Sequence, residues 1–60
     1  MRWLTGQRVL EAQRLLETTS RSVDEIAEHC GFGSAATLRV HFVRDVGATP
    51  TAYRRSRRPG

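Results

Sequence analysis

The sequence is short of most of the residues that small proteins use to stabilise themselves. Its 60 residues include one cysteine, two prolines, no lysine and only 7% aromatic side chains. A lone Cys30 cannot form an internal disulfide, and no set of cysteines and histidines has the spacing of a zinc site. Stability must therefore come from a small apolar core, and the single cysteine favours a reducing compartment.

Long apolar runs are missing as well. No stretch approaches the roughly 20 apolar residues that span a membrane, and Met1-Arg2-Trp3-Leu4 is not followed by the apolar run of a secretion signal. We therefore expect a cytoplasmic protein without a membrane partner.

Nothing in the sequence has the pattern of a catalytic or cofactor site. Gly31-x-Gly33 follows no strand, so it is not a phosphate-binding loop. His29 and Cys30 are adjacent on a predicted helix and point about 100° apart, which is unsuitable for a metal or a nucleophile pair. We expect neither an enzyme nor a cofactor or metal.

The positive charge is concentrated at one end of the chain. The net charge is +4, and arginines and acids balance over residues 1–53. The excess lies in four arginines of a predicted basic, disordered tail over residues 54–60, namely Arg54, Arg55, Arg57 and Arg58. Such a tail attracts phosphate, but it would equally keep the chain in solution, so charge alone does not decide for nucleic acid.

The apolar spacing predicts helices only, and the fold class is all-α. A first helix over Trp3 to Thr18 buries one face, and a capping box at Ser22 and Glu25 begins a second that ends at Gly31. Ser34 caps a third helix, which buries Leu38, Phe42 and Val46 and closes at Gly47. Thr49-Pro50 begins a last short helix through Tyr53.

The join between the second and third helices is the most informative feature. A short helix, a tight turn containing Gly31 and a further helix form a helix-turn-helix layout, although an ordinary helical hairpin has the same outline. The face of the third helix opposite Leu38 and Phe42 holds the small or apolar Ala36, Val40 and Val43, with Arg39 on one flank and Thr37 and Arg44 on the other. No acid lies between Gly33 and Arg44, which suits the approach of a phosphate backbone.

The same residues match a known family over nearly the whole chain. The sequence resembles the C-terminal end of AraC/XylS-type transcriptional regulators, most specifically in the Gly31-Phe32 turn, Phe42 and the Gly-x-Thr-Pro-x-x-Tyr-Arg ending from Gly47 to Arg54. Residues 31–39 look most like the branch whose N-terminal half is a DJ-1/PfpI-like domain. The other matching residues are Arg8-Val9, Ala12, Leu15-Leu16, Ile26-Ala27, Ser34 and Leu38.

The resemblance implies two helix-turn-helix units joined by a long helix. Residues 1–20 are then the linker helix and residues 21–53 the second unit, a homeodomain-like three-helix unit. The first unit and an effector domain are expected in a full-length relative. Trp3 and Leu10 project away from Ala12, as expected for a surface that the first unit covers.

The expected partner is double-stranded DNA, with the third helix, residues 34–46, in the major groove. Arg39 is expected to contact a base edge and Arg44 a phosphate, while small side chains line the groove and amides at the helix start fix the backbone. Arg8 is a further phosphate candidate by resemblance. The DNA-binding residues so predicted are Arg8, Ser34, Ala35, Ala36, Thr37, Arg39, Val40 and Arg44.

The sequence departs from the family on this reading face, because many members have a basic or polar residue where Val40 and Val43 stand. An alternative function therefore stays open at this point. The chain would then be a small helical protein-interaction module, or a truncated remnant without specific DNA binding, whose exposed apolar residues bind protein.

Overall fold

The computed structural model describes residues 2–57, with side chains from residue 6 onward. In this range the chain forms α1 (Arg2–Thr18), α2 (Val23–His29), α3 (Ala35–Val46) and α4 (Pro50–Arg57), without a strand. The all-α fold class is confirmed. None of the helices in the described range is long and apolar enough to cross a bilayer.

α1 ends where the sequence places short hydroxyl side chains. The Thr18 hydroxyl donates to the Arg14 carbonyl, and the Thr19 hydroxyl donates to the Leu15 carbonyl, each at 2.7 Å. The Thr19 hydroxyl also accepts the amide of Arg21 at 3.3 Å. These bonds replace the next helical turn and direct the chain toward α2.

α2 begins with the predicted capping box. The Glu25 amide donates to the Ser22 hydroxyl at 3.1 Å, and the Ser22 amide donates to the Glu25 carboxylate at 2.9 Å. α2 ends at His29 with Cys30 as its cap, and Gly31 and Gly33 then adopt φ values of +85° that only glycine reaches at low cost. The Phe32 amide donates to the Ala27 carbonyl at 2.8 Å and closes the turn.

α3 has the predicted signals at both ends. The Thr37 amide donates to the Ser34 hydroxyl at 3.2 Å, which satisfies one of the unpaired amides of the first turn. Gly47 ends the helix in the left-handed conformation, and its amide donates to the Val43 carbonyl at 2.9 Å. The direction of α3 relative to the turn is thus fixed by residues on both sides of it.

One apolar core joins the four helices. Phe42 and Leu38 of α3 are fully buried, and the Phe42 ring meets the Tyr53 ring edge-on at 5.4 Å between centroids. Cys30 lies in this core, where burial raises the pKa of its thiol and keeps it protonated. The other buried members are Val9, Ala12, Leu15, Leu16, Ile26 and Ala27.

The expected end of the last helix at Tyr53 and the expected disorder from residue 54 are wrong for residues 54–57. α4 continues to Arg57 because its side chains bind α1. Arg54 donates to the carbonyl of Leu16 at 3.2 Å and to that of Thr19 at 3.1 Å, where α1 has unpaired acceptors. The Arg57 guanidinium lies 5.1 Å from the Tyr53 ring centroid, a cation–π contact. Residues 58–60 of the predicted tail lie outside the described residues.

Candidate nucleic-acid interface

The outer face of α3 carries an exposed line of small and apolar side chains. Ala36, Val40 and Val43 follow one another along this face, opposite the fully buried Leu38 and Phe42. Val40 is 66% exposed and Val43 is 41% exposed. We call these three residues the apolar stripe.

Two arginines flank the apolar stripe, and the structure gives them different surroundings. Arg44 is held on its own helix, with its guanidinium 3.2 Å from His41 Nδ1 and 3.5 Å from an Asp45 carboxylate oxygen. Arg39 is exposed and forms no hydrogen bond or ion pair among residues 6–57, whose side chains the structure describes. Arg39 is therefore the more available donor for a ligand.

Arg39 also borders a groove where three helices begin. The groove has a volume of about 380 Å³ and lies beside the first residues of α2, α3 and α4. The Thr49 hydroxyl at its edge accepts the amide of Ala52 at 3.1 Å and so caps α4. The lining residues are Val23, Ala35, Arg39, Thr49, Pro50 and Thr51.

The hydroxyl groups at the start of α3 are engaged with one another. Ser34 Oγ lies 3.1 Å from Thr37 Oγ1 in addition to accepting the Thr37 amide. A ligand that took either hydroxyl would compete with the cap of α3. The first-turn amides at Ala35 and Ala36 carry the positive end of the helix dipole without such competition.

Arg8 lies apart from the other predicted site residues. It projects from α1 onto the turn between α2 and α3, where Nη1 donates to the Gly31 carbonyl at 3.4 Å. Its guanidinium carbon lies 3.3 Å from the point that a Cβ on Gly31 would occupy. The structure therefore joins Arg8 to the turn, while the seven other candidates lie together at Ser34 and along α3.

Sequence reasoning missed two parts of this surface. The His41–Arg44 contact spans three residues of one helix, so the spacing could have indicated it. The groove at the three helix starts brings Val23 beside Thr49 and Thr51, and no local pattern links positions so far apart. Within the residues that the structure describes, no cluster of three potential metal ligands occurs.

Comparison with known proteins places this geometry in a family. A family model for a helix-turn-helix domain matches residues 1–56. The chain belongs to the AraC-type helix-turn-helix family. Its further assignment to the DJ-1/PfpI-fused branch stays a prediction.

Relatives of this AraC-type chain are transcriptional regulators. It is 44% identical over 55 residues to the HTH-type transcriptional regulator Rv1931c of Mycobacterium tuberculosis, covering 92% of this chain and 21% of that protein. It is 42% identical over 57 residues to the HTH-type transcriptional activator RhaR of Enterobacter sp. (strain 638), covering 93% of this chain and 20% of that protein. The chain thus spans about a fifth of the length of these relatives.

A solved structure shares both fold and sequence with the chain. The DNA-binding domain of AdpA, a global transcriptional factor crystallised in complex with a target DNA, superposes with a TM-score of 0.89 and 58% sequence identity. The match covers 92% of this chain and 50% of that domain chain. Fold and family therefore agree with the helix-turn-helix prediction.

Proposed function

We propose that the chain is a DNA-binding unit of a bacterial transcriptional regulator and inserts α3 into the major groove of double-stranded DNA. The observation that carries this proposal is the exposed face of α3. It holds Arg39 and Arg44 on opposite flanks of the apolar stripe, with no acid from residue 33 to residue 44. A face of this charge approaches a polyanion without repulsion.

The family supports the same partner. AdpA's matching domain was solved on a target DNA, and this chain is 58% identical to it. Relatives that are about five times as long carry further segments, in agreement with an upstream helix-turn-helix and an effector domain in a full-length protein. The long helix α1, with Leu10 59% exposed, is then the link to the upstream unit.

The side chains divide between positioning and reading. Arg39, which has no hydrogen-bond or ion-pair partner among residues 6–57, contacts a base edge, and the more restrained Arg44 contacts a phosphate. Ala36, Thr37 and Val40 line the groove. Amides next to Ser34 and Ala35, together with Arg8 beside the turn, fix the DNA backbone.

Mutation of the two flanking arginines tests these roles. Arg39→Ala should lose about 1 to 3 kcal/mol of binding on a preferred duplex and flatten discrimination among sequences. Arg44→Ala should weaken binding to all duplexes alike. Binding is followed by fluorescence anisotropy of labelled duplexes that are first selected from a random library.

Arg14→Ala is the matched control, because Arg14 is an exposed α1 arginine in a bidentate pair with Glu11. Its removal changes the total charge as the other two variants do, but away from α3. Equal losses on selected and random duplexes for Arg39→Ala would remove Arg39 from base reading. Equal losses for all three variants would leave α3 without a special role.

A further inference from the structure

The side chains of the apolar stripe cannot form the hydrogen bonds by which proteins usually read base edges. Ala36 and Val40 donate nothing from their side chains, and the Thr37 hydroxyl beside them is paired with Ser34. Two exposed valines cost little in a folded helix but contribute nothing to its core. The apolar stripe is thus the part of α3 for which hydrogen-bond readout gives no explanation.

The surroundings of the apolar stripe restrict what can cover it. Arg39 and Arg44 flank it, which favours an occupant with negative charge on both sides of an apolar point of contact. The major groove of duplex DNA has this arrangement, because phosphates border it and the C5-methyl group of thymine is the apolar group on its floor. An apolar protein surface lacks the flanking negative charge.

We infer that the apolar stripe reads C5-methyl groups of pyrimidines in the major groove, which deepens the proposed function and rests on it. Ala36 and Val40 lie one turn apart, about 6 Å along the helix axis. Stacked base pairs are about 3.4 Å apart. The two side chains therefore contact methyl groups on different base pairs, about two steps apart, and Val40 is the principal contact because it is the more exposed and the larger.

Replacement of thymine by uracil isolates the methyl group. Deoxyuridine keeps the O4 acceptor and the base pairing of thymidine and lacks only the C5-methyl. Duplexes selected by the 60-residue chain from a random library at low salt are remade with deoxyuridine. We expect affinity to fall about fourfold for each C5-methyl group removed from a contacted base, the factor for burial of one methyl-sized group. Replacement of cytosine by 5-methylcytosine at contacted positions adds a methyl group without changing the base pair and should raise affinity.

A comparison of Val40→Ser with Leu10→Ser shows whether the methyl group acts through contact with Val40 or through a change in the shape of the DNA. Both replace exposed apolar residues, on α3 and on α1 respectively, so neither should unfold the chain. Val40→Ser should lose the part of the thymidine–deoxyuridine difference that Val40 supplies, about fourfold, while Leu10→Ser should discriminate like the wild type.

Equal binding of the two duplexes by the wild type would overturn the inference, and so would discrimination by Val40→Ser that is as strong as that of the wild type. Either result would leave the proposed function intact as long as duplexes are bound. Failure to bind any duplex at low salt would instead overturn the proposed function and the inference together.

Discussion

At the scale of the residue, Gly31 and Gly33 share a conformation but not an environment. Both have a φ of +85°. A Cβ on Gly31 would lie 3.3 Å from the Arg8 guanidinium, whereas a Cβ on Gly33 would meet nothing within 4 Å. A comparison of substitutions at the two glycines therefore separates the cost of a left-handed backbone from the cost of the contact with Arg8 of α1.

Alanine at either glycine should cost about 1 to 2 kcal/mol of unfolding free energy because of the left-handed backbone. Gly31→Ala should cost about 0.5 kcal/mol more, since Arg8 must shift and its bond to the Gly31 carbonyl weakens. Urea unfolding of both variants measures the difference. In an Arg8→Ala background the two substitutions should cost the same, and a persistent difference would show that the Arg8 contact is not its source.

The stability of the core depends on the Phe42 side chain. A core of this size supplies about 3 to 5 kcal/mol, and Phe→Ala at a fully buried site removes about 3 to 5 kcal/mol. Phe42→Ala should therefore unfold the chain at room temperature, as seen by loss of helical circular dichroism. Phe32→Ala, at a half-buried ring on the edge of the core, should keep a cooperative melt. A cooperative melt in Phe42→Ala would show that the core is built differently.

At the scale of the element, α4 is held on α1 by a polar cluster beside the core. The Tyr53 hydroxyl donates to the Glu17 carboxylate, and the Gln13 amide lies 3.5 Å from the same hydroxyl. The hydrogen bond to Glu17 is the first cause, and burial the second, that raise the pKa of Tyr53 above its usual range. The folded chain thus favours the protonated phenol.

This shift makes stability depend on pH in the alkaline range. Because the folded pKa of Tyr53 is raised, its contribution is complete below the ordinary tyrosine pKa of about 10 and is lost as pH rises through the folded value. Tyr53→Phe should cost about 0.5 to 1.5 kcal/mol at neutral pH. Chemical unfolding at a series of pH values measures the difference in unfolding free energy between Tyr53→Phe and the wild type. This difference should narrow above a pH of about 10.

Burial raises the pKa of the Cys30 thiol as well, but both proteins carry this thiol, so its effect cancels in the difference. A gap that stays constant as the phenol ionises would show that the Tyr53–Glu17 bond does not stabilise the fold.

The helices could be predicted where the signal is local. Ser22 with Glu25, Ser34 and Gly47 mark helix ends through residues no more than four apart, and each end lies where they predict. The extension of α4 depends on Arg54 reaching Leu16 and Thr19, which are 38 and 35 positions away. Such a contact exists only after the core has placed α4 on α1, so local pattern could not indicate it.

The candidate site divides in the same way. Helical periodicity predicted which side chains share the outer face of α3, because Leu38 and Phe42 fix its inner face. It could not predict that Arg39 borders a groove with Thr49 and Thr51, or that Arg8 lies on Gly31. These neighbours come from other helices, and their positions follow from packing.

At the scale of the whole molecule, the chain matches only part of the length of its relatives. It covers 50% of the AdpA DNA-binding domain and about a fifth of its longer relatives. Alone, it should bind duplex DNA with a dissociation constant of about 10⁻⁴ to 10⁻⁶ M, the range of non-specific association. Complete specific readers reach about 10⁻⁸ M or tighter.

Much of this weak attraction should come from the basic C-terminal residues. Through about four phosphate contacts, affinity should fall about a hundredfold as salt rises from about 50 to about 200 mM. Arg55→Gln, at an exposed α4 position, should reduce that dependence without disturbing the Arg54 bonds to α1. Anisotropy titrations at the two salt concentrations measure this salt dependence. Nanomolar, sequence-selective binding by the chain alone would contradict the predicted weak affinity and show that the chain is a complete reader.

The central claim is that the outer face of α3 enters DNA, and amide chemical-shift mapping tests it most directly. A ¹⁵N-labelled chain is titrated with selected duplex at low salt. The largest shifts should fall on α3 from Ala35 to Arg44 and on the start of α4, with the outer face of α1 around Leu10 little changed. Shifts confined to the arginines of α4, with α3 unperturbed, would contradict the account.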